Sequence, residues 1–197
     1  MKKLCCILML LLVGAAGAGC GSAHEYLSGQ LENMVPESVP APPIQQAQDE
    51  RDRNMYQNFV VEAVDGTLVQ LSDFVGNAGV VVNFWASWCG PCRAEMADFS
   101  EVAEAYKEKG VVFLMVNATD GQRETRETAL KYIEAEGLVF DNILFDTTYG
   151  ANMAYGIYAI PTTIFIDKDG YVVDGHVGAL AKADLQRTLD DLLDGNL

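Results

Sequence analysis

The sequence predicts an α/β domain, a central mixed β-sheet with helices on both faces, and three observations carry that prediction. First, Val80 to Trp85 is a nearly unbroken apolar run, the pattern of a strand covered on both sides. Second, good helix formers follow from Cys92 to Lys109 and another apolar run spans Val111 to Val116, giving a βαβ unit with a parallel pair. Third, two hairpin signals flank this unit, Asp65-Gly66 before it and Lys168-Asp169-Gly170 after it.

Taken in order, Phe59 to Val64 and Thr67 to Leu71 read as the strands of the N-terminal hairpin. The helix from Cys92 places Met96, Phe99, Val102, Ala103 and Tyr106 on one stripe, and Gly110 ends it. Gln122 to Glu136 reads as a second helix with Leu130 and Ile133 inward and Gly137 as its stop. A short strand at Ile143 to Phe145 and a short helix within Thr147 to Tyr155 follow. The second hairpin pairs Thr162 to Asp167 with Tyr171 to Val177. Lys182 to Leu193 closes the chain as an amphipathic helix with Leu185, Leu189, Leu192 and Leu193 inward.

Ahead of the domain the composition changes twice. Residues 1–20 read as an export leader: Lys2-Lys3, an apolar stretch from Leu4 to Val13, then small residues into Cys20. Gly17-Ala18-Gly19-Cys20 resembles a bacterial lipoprotein cleavage box, which makes Cys20 the lipidated residue and the membrane the partner of that lipid. Cleavage after Ala18 or Ala23, and retention as an uncleaved anchor, stay open. Residues 21–55 have linker composition, with Pro36, Pro40, Pro42 and Pro43 among polar residues, and the folded domain is expected over 56–197. The net charge is −15, more negative still once Lys2 and Lys3 leave with the leader. Such a surface repels phosphate backbones and excludes nucleic acid as a partner.

Removing the leader discards Cys5 and Cys6, and Cys20 is assigned to lipid, so Cys89 and Cys92 are left as the free thiols. A pair this close staples almost no chain, so it reads as a reactive dithiol in a compartment that permits disulfides. At a strand-to-helix junction, Cys89 takes the N-cap and Cys92 the first turn. There the unpaired N–H groups and the positive end of the helix dipole favour a thiolate. Gly90 leaves room beside the sulfur, and Pro91 suits an early helix position where no N–H is required. A zinc site is not supported, because His24 and His176 are the only other ligands on offer and His24 falls in the linker. His176 reads as a strand residue near the surface.

Val-Val-Asn-Phe-Trp-Ala-Ser-Trp followed by Cys-Gly-Pro-Cys and Arg-Ala-Glu-Met resembles the thioredoxin superfamily. More narrowly it resembles its extracytoplasmic, membrane-tethered thiol-disulfide reductases of the TlpA/ResA type, over about residues 56 to 195. The resemblance implies a thioredoxin-like fold with a helix-containing insertion between its βαβ and ββα halves. It also implies a redox-active Cys89–Cys92 disulfide without a further cofactor, protein disulfides as substrates and a membrane electron donor that restores the dithiol. Cytochrome c biogenesis, through apocytochrome c, is one setting in which such relatives work. A monomer is expected.

By the same resemblance Glu95 is a functional acid that accepts the Cys92 proton, standing in for the buried acid that thioredoxin proper has at the position of Asn83. Ile160-Pro161-Thr162 is similar to the family's cis-proline loop, which faces the cysteines and offers backbone groups to an extended substrate. Trp88 walls the sulfur site, and Trp85 belongs to the core. One departure is Ala97, where the family usually has a helix-kinking proline, and it bears on how Glu95 approaches Cys92. Between the cysteines, Gly-Pro is thioredoxin's own dipeptide, and thioredoxin sits near about −270 mV against about −120 mV for a strong oxidant, which favours a reductase. A thiol peroxidase is an alternative, although Val82 and Ala86 occupy the places of the Pro and Thr/Ser of a peroxiredoxin run. A copper-carrying or thiol-dead binding module on the same fold is another, although copper carriers resemble Cys-x-x-x-Cys.

Overall fold

The computed structural model describes residues 54–197, so the leader, Cys20 and the linker up to residue 53 lie outside the described residues. Seven strands form one mixed sheet in the order β2-β1-β5-β4-β3-β6-β7. In chain order these are β1 (Val60–Ala63), β2 (Leu68–Gln70), β3 (Gly79–Trp85), β4 (Val111–Asn117), β5 (Ile143–Phe145), β6 (Thr162–Asp167) and β7 (Val172–Val177). Among the described residues the helices are α1 (Gly90–Lys107), α2 (Arg126–Ala135), α3 (Gly150–Ala154) and α4 (Lys182–Asp194). β3 runs parallel to β4, and β4 to β5, whereas β1/β2, β1/β5, β3/β6 and β6/β7 are antiparallel.

All seven residues of β3 are buried, which is why that strand carries no polar alternation. Val81 and Trp85 face a core built from α1, α2 and α4, through Met96, Phe99, Ile133, Leu185 and Leu189. Val80, Val82 and Phe84 face a second core with Phe59, Leu71, Leu144 and Ala151, where the covering helix is the short α3. Both faces are therefore covered, one by three helices and the other by α3 together with the N-terminal segment. Packing is close at the edge of the first core, where a Cβ added at Gly79 would lie 2.5 Å from the Leu192 side chain.

Two expectations are corrected. The first hairpin's strands are shorter than the apolar pattern suggests, because Leu71–Asp73 turns into a 3-10 segment under Phe59. The second helix starts at Arg126 rather than Gln122, since Thr125 forms a capping box with Thr128 and so fixes the first turn there. Residues 120–125 are consequently a turn.

Leu189 is fully buried between α4 and the sheet, while Leu68 is 70% exposed. Leu189→Ala should lower the free energy of unfolding by about 2–5 kcal/mol, and Leu68→Ala by no more than about 0.5 kcal/mol. Urea denaturation of both variants checks this; equal losses would show that α4 is not part of the cooperative core.

Candidate active site

The redox pair stands where β3 gives way to α1. After Trp85 the chain turns through Ala86, Ser87 and Trp88, with the Cys89 N–H donating to the Ala86 carbonyl at 3.1 Å. Cys89 is the N-cap, in extended conformation, and Pro91 lies in the first turn of α1. The Cys89 sulfur accepts the Cys92 N–H at 3.2 Å, so it takes one of the donors a helix start leaves unpaired. Cys89 and Cys92 form a disulfide with Cα atoms 5.3 Å apart. Cys92 is fully buried and Cys89 is 4% exposed. The N-cap sulfur is thus the more accessible of the two, but far less open in the oxidised protein than its place at a helix start suggests. Gly90 and Pro91 are exposed, and a Cβ at Gly90 would meet no atom within 4 Å, so packing inside the chain does not require glycine there.

Opposite the pair, the Ile160–Pro161 bond is cis. The Ile160 carbonyl oxygen is 3.6 Å from the Cys89 sulfur, a position in which a reduced thiol can donate to it. Pro161 is buried, and its own carbonyl accepts the Gly178 N–H at 2.8 Å. Trp88 is 42% exposed beside Cys89, with the Arg123 guanidinium 3.6 Å above the ring centroid, a cation–π contact.

Glu95 lies one turn after Cys92 on the same buried face of α1, and it is 3% exposed. One carboxylate oxygen accepts the Asn83 side-chain amide at 2.9 Å, and the other accepts the Leu180 N–H at 2.7 Å. Asn83 also donates to the Thr163 hydroxyl oxygen at 3.1 Å. Burial pushes the carboxyl up from 4.5 to about 7, with the Leu180 N–H and then the Asn83 amide pulling the other way. With Ala97 in place of proline, α1 is one helix of 18 residues. The hydrogen bonds of Glu95 run to Asn83 and Leu180, and none joins it to the Cys92 sulfur in the disulfide state.

A family model described as Redoxin matches residues 45–192. This chain belongs to the Redoxin family. It is 36% identical over 129 residues to the thiol-disulfide oxidoreductase ResA of Bacillus anthracis, covering 66% of this chain and 71% of the relative. Its fold is similar to the crystal structure of the exposed lipoprotein thioredoxin of Streptococcus pneumoniae: TM-score 0.56, 34% identity, 68% of this chain and 98% of that one. It is also similar to the thioredoxin domain of a thiol-disulfide oxidoreductase from Bacteroides vulgatus, with TM-score 0.60, 26% identity, and 71% and 95% covered. The chain is a thioredoxin-fold thiol-disulfide oxidoreductase of the ResA/TlpA type, and the Cys89–Cys92 pair is its Cys-x-x-Cys motif.

Of the residues read from the sequence of this Redoxin-family enzyme, Trp88, Cys89, Gly90, Pro91, Cys92, Ile160 and Pro161 converge at one end of β3, with Glu95 beneath them. His176 is half-buried on β7, the strand at the sheet edge. Sequence reading missed Leu180 and Thr163, which reach the site from 85 and 80 residues away along the chain. It also missed Glu124, which falls within the span read as a helix and instead precedes it, hydrogen-bonded to Ser87.

An unfolded chain loses the Glu95 proton near 4.5, whereas the folded domain keeps it up to about 7. Folding therefore takes up a proton between these values, and the contribution of this group to stability falls as pH rises through that window. At about 1.4 kcal/mol per unit the whole change is roughly 3 kcal/mol. Urea denaturation of the oxidised protein should show the wild type losing that amount relative to Glu95→Gln between pH 4.5 and about 7. A difference that stays flat with pH would contradict the assignment.

Proposed function

We propose that this oxidoreductase acts in the reducing direction on disulfides of exported proteins, with Cys89 as nucleophile, Cys92 as resolving thiol and Glu95 as proton acceptor. The observation that carries the reading is the Cys89 sulfur capping α1, with a buried carboxylate of raised pKa one turn behind Cys92. In the dithiol form the Cys89 thiolate attacks one sulfur of the substrate disulfide, forming a mixed disulfide and releasing the other sulfur as a thiolate. Cys92 gives its proton to Glu95 and attacks the Cys89 sulfur, which frees the second substrate thiol. Two electrons have then moved to the substrate, and the protein is left as the Cys89–Cys92 disulfide. A carboxyl that titrates near 7 is suited to this, since it can take a thiol proton and return it at neutral pH.

The substrate approaches over exposed Gly90 and Pro91 and lies along Ile160 and Pro161, with Trp88 as the wall. The Ile160 carbonyl beside the sulfur supports a strand-like pairing with an extended peptide. The reading extends to exported substrates such as apocytochrome c, a lipid anchor at Cys20, an extracytoplasmic location and a membrane donor that restores the dithiol, each supported by the leader-like residues 1–20 or by the family. The similar lipoprotein thioredoxin of Streptococcus pneumoniae supports the anchor. Among the described residues no helix is long and apolar enough to cross a membrane.

Cys89→Ser should abolish reduction of a protein disulfide such as insulin. Cys92→Ser should accumulate mixed disulfides on Cys89 that dithiothreitol releases, and their identification by mass spectrometry names the substrates. Glu95→Gln should slow reduction about 10²-fold near neutral pH while the fold is kept. A redox titration should place the pair nearer about −270 mV than −120 mV, and a potential above roughly −180 mV would make it an oxidase or isomerase instead. Wild-type rates in Glu95→Gln from pH 6 to 8 would remove the acid from the mechanism.

A further inference from the structure

The three residues between β3 and the N-cap, Ala86, Ser87 and Trp88, determine where the Cys89 sulfur stands, and they are gripped from the side by a turn far along the chain. Glu124 is fully buried. A carboxylate taken out of water needs compensation, and here it comes from three donors. One oxygen accepts the Ser87 N–H at 2.9 Å and the Asn117 side-chain amide at 2.6 Å, and the other accepts the Ser87 hydroxyl at 2.7 Å. Two of the three donors therefore belong to the residue two before Cys89. Asn117, the last residue of β4, is itself held by the Thr119 hydroxyl, which donates to its Oδ1 at 2.8 Å. The neighbouring Arg123 covers Trp88, so consecutive residues 123 and 124 hold consecutive residues 88 and 87. The turn carrying them is ordered by Asp120, whose Oδ1 accepts the N–H groups of Gln122 and Glu124, each at 2.8 Å.

We propose that Glu124 is a positioning residue for the nucleophile: its grip on Ser87 sets the Ala86–Trp88 turn so that the Cys89 sulfur meets the first turn of α1. The proposal rests on the reading of Cys89 as nucleophile. A sulfur moved by even an ångström loses the Cys92 N–H and the line of attack, which costs rate steeply. The grip depends on hydrogen-bond acceptors at defined places. Gln at 124 keeps an acceptor for the Ser87 N–H and can donate to its hydroxyl, whereas Ala removes both contacts.

The test follows alkylation of Cys89 by iodoacetamide, peptide by peptide in a mass spectrometer, on the full chain in a Cys92→Ser background across neutral pH. Glu124→Ala should alkylate about tenfold more slowly near pH 7, with its pH profile displaced upward and Trp88 fluorescence altered. Glu124→Gln should stay within about threefold of the parent, and Ser87→Ala should fall between the two. A folded Glu124→Ala with the parent's profile overturns the proposal. So does a Gln variant as slow as the Ala variant, since charge and not the grip would then be the cause. Should Glu124→Ala fail to fold, Ser87→Ala decides, and an unchanged profile there overturns the proposal. Failure of the underlying reading is seen separately, as disulfide reduction that survives in Cys89→Ser with Glu124 intact.

Discussion

The structure depends on one junction, where a strand buried on both faces ends and a helix begins with a sulfur as its cap. Burial of β3 between two cores leaves it no freedom to slide, because a shift of one residue would exchange the two sets of apolar side chains. A strand so fixed delivers Cys89 to a fixed place, and the helix start supplies an N–H to the sulfur. The positive end of the α1 dipole adds to this at no cost in side-chain order. What favours a thiolate at this position is thus ordinary backbone geometry, an N–H and a helix start aimed at the sulfur.

The same junction explains why an acid can lie beneath the pair. Cys92, Glu95 and Met96 share the buried face of α1, so this carboxylate faces a core. Its donors come from β3 through Asn83 and from Leu180 ahead of α4, and those two contacts limit a penalty that burial alone would make larger. Asn83 spends both amide hydrogens, on Glu95 and Thr163, and its Oδ1 is left without a partner. An amide oriented in this way is a pure donor toward Glu95, the role that suits a carboxylate able to lose its proton.

Much of this was legible in the sequence because it follows from local periodicity and from a motif whose parts are adjacent. The unbroken run of β3, the stripe on α1 and the leucines of α4 sort themselves by burial, and Cys-Gly-Pro-Cys names its own position at the helix start. The hairpin strand ends and the start of α2 were not legible, since capping bonds such as Thr125 with Thr128 compete with helix propensity over only a few residues. Nor were Glu124, Leu180 and Thr163. Each reaches the site through contacts that only tertiary folding makes, and a glutamate in a polar stretch is indistinguishable by type from a solvated one.

The Leu180 N–H on Glu95 has a bearing on biosynthesis. The cysteines leave the ribosome ahead of the donor that completes the carboxylate's surroundings, which comes from the segment leading into α4. A nascent chain carrying the Cys-x-x-Cys motif thus leaves Glu95 short of one of its hydrogen bonds until that segment has docked. The surroundings of Glu95 are therefore completed late in folding, once the segment before α4 has met α1.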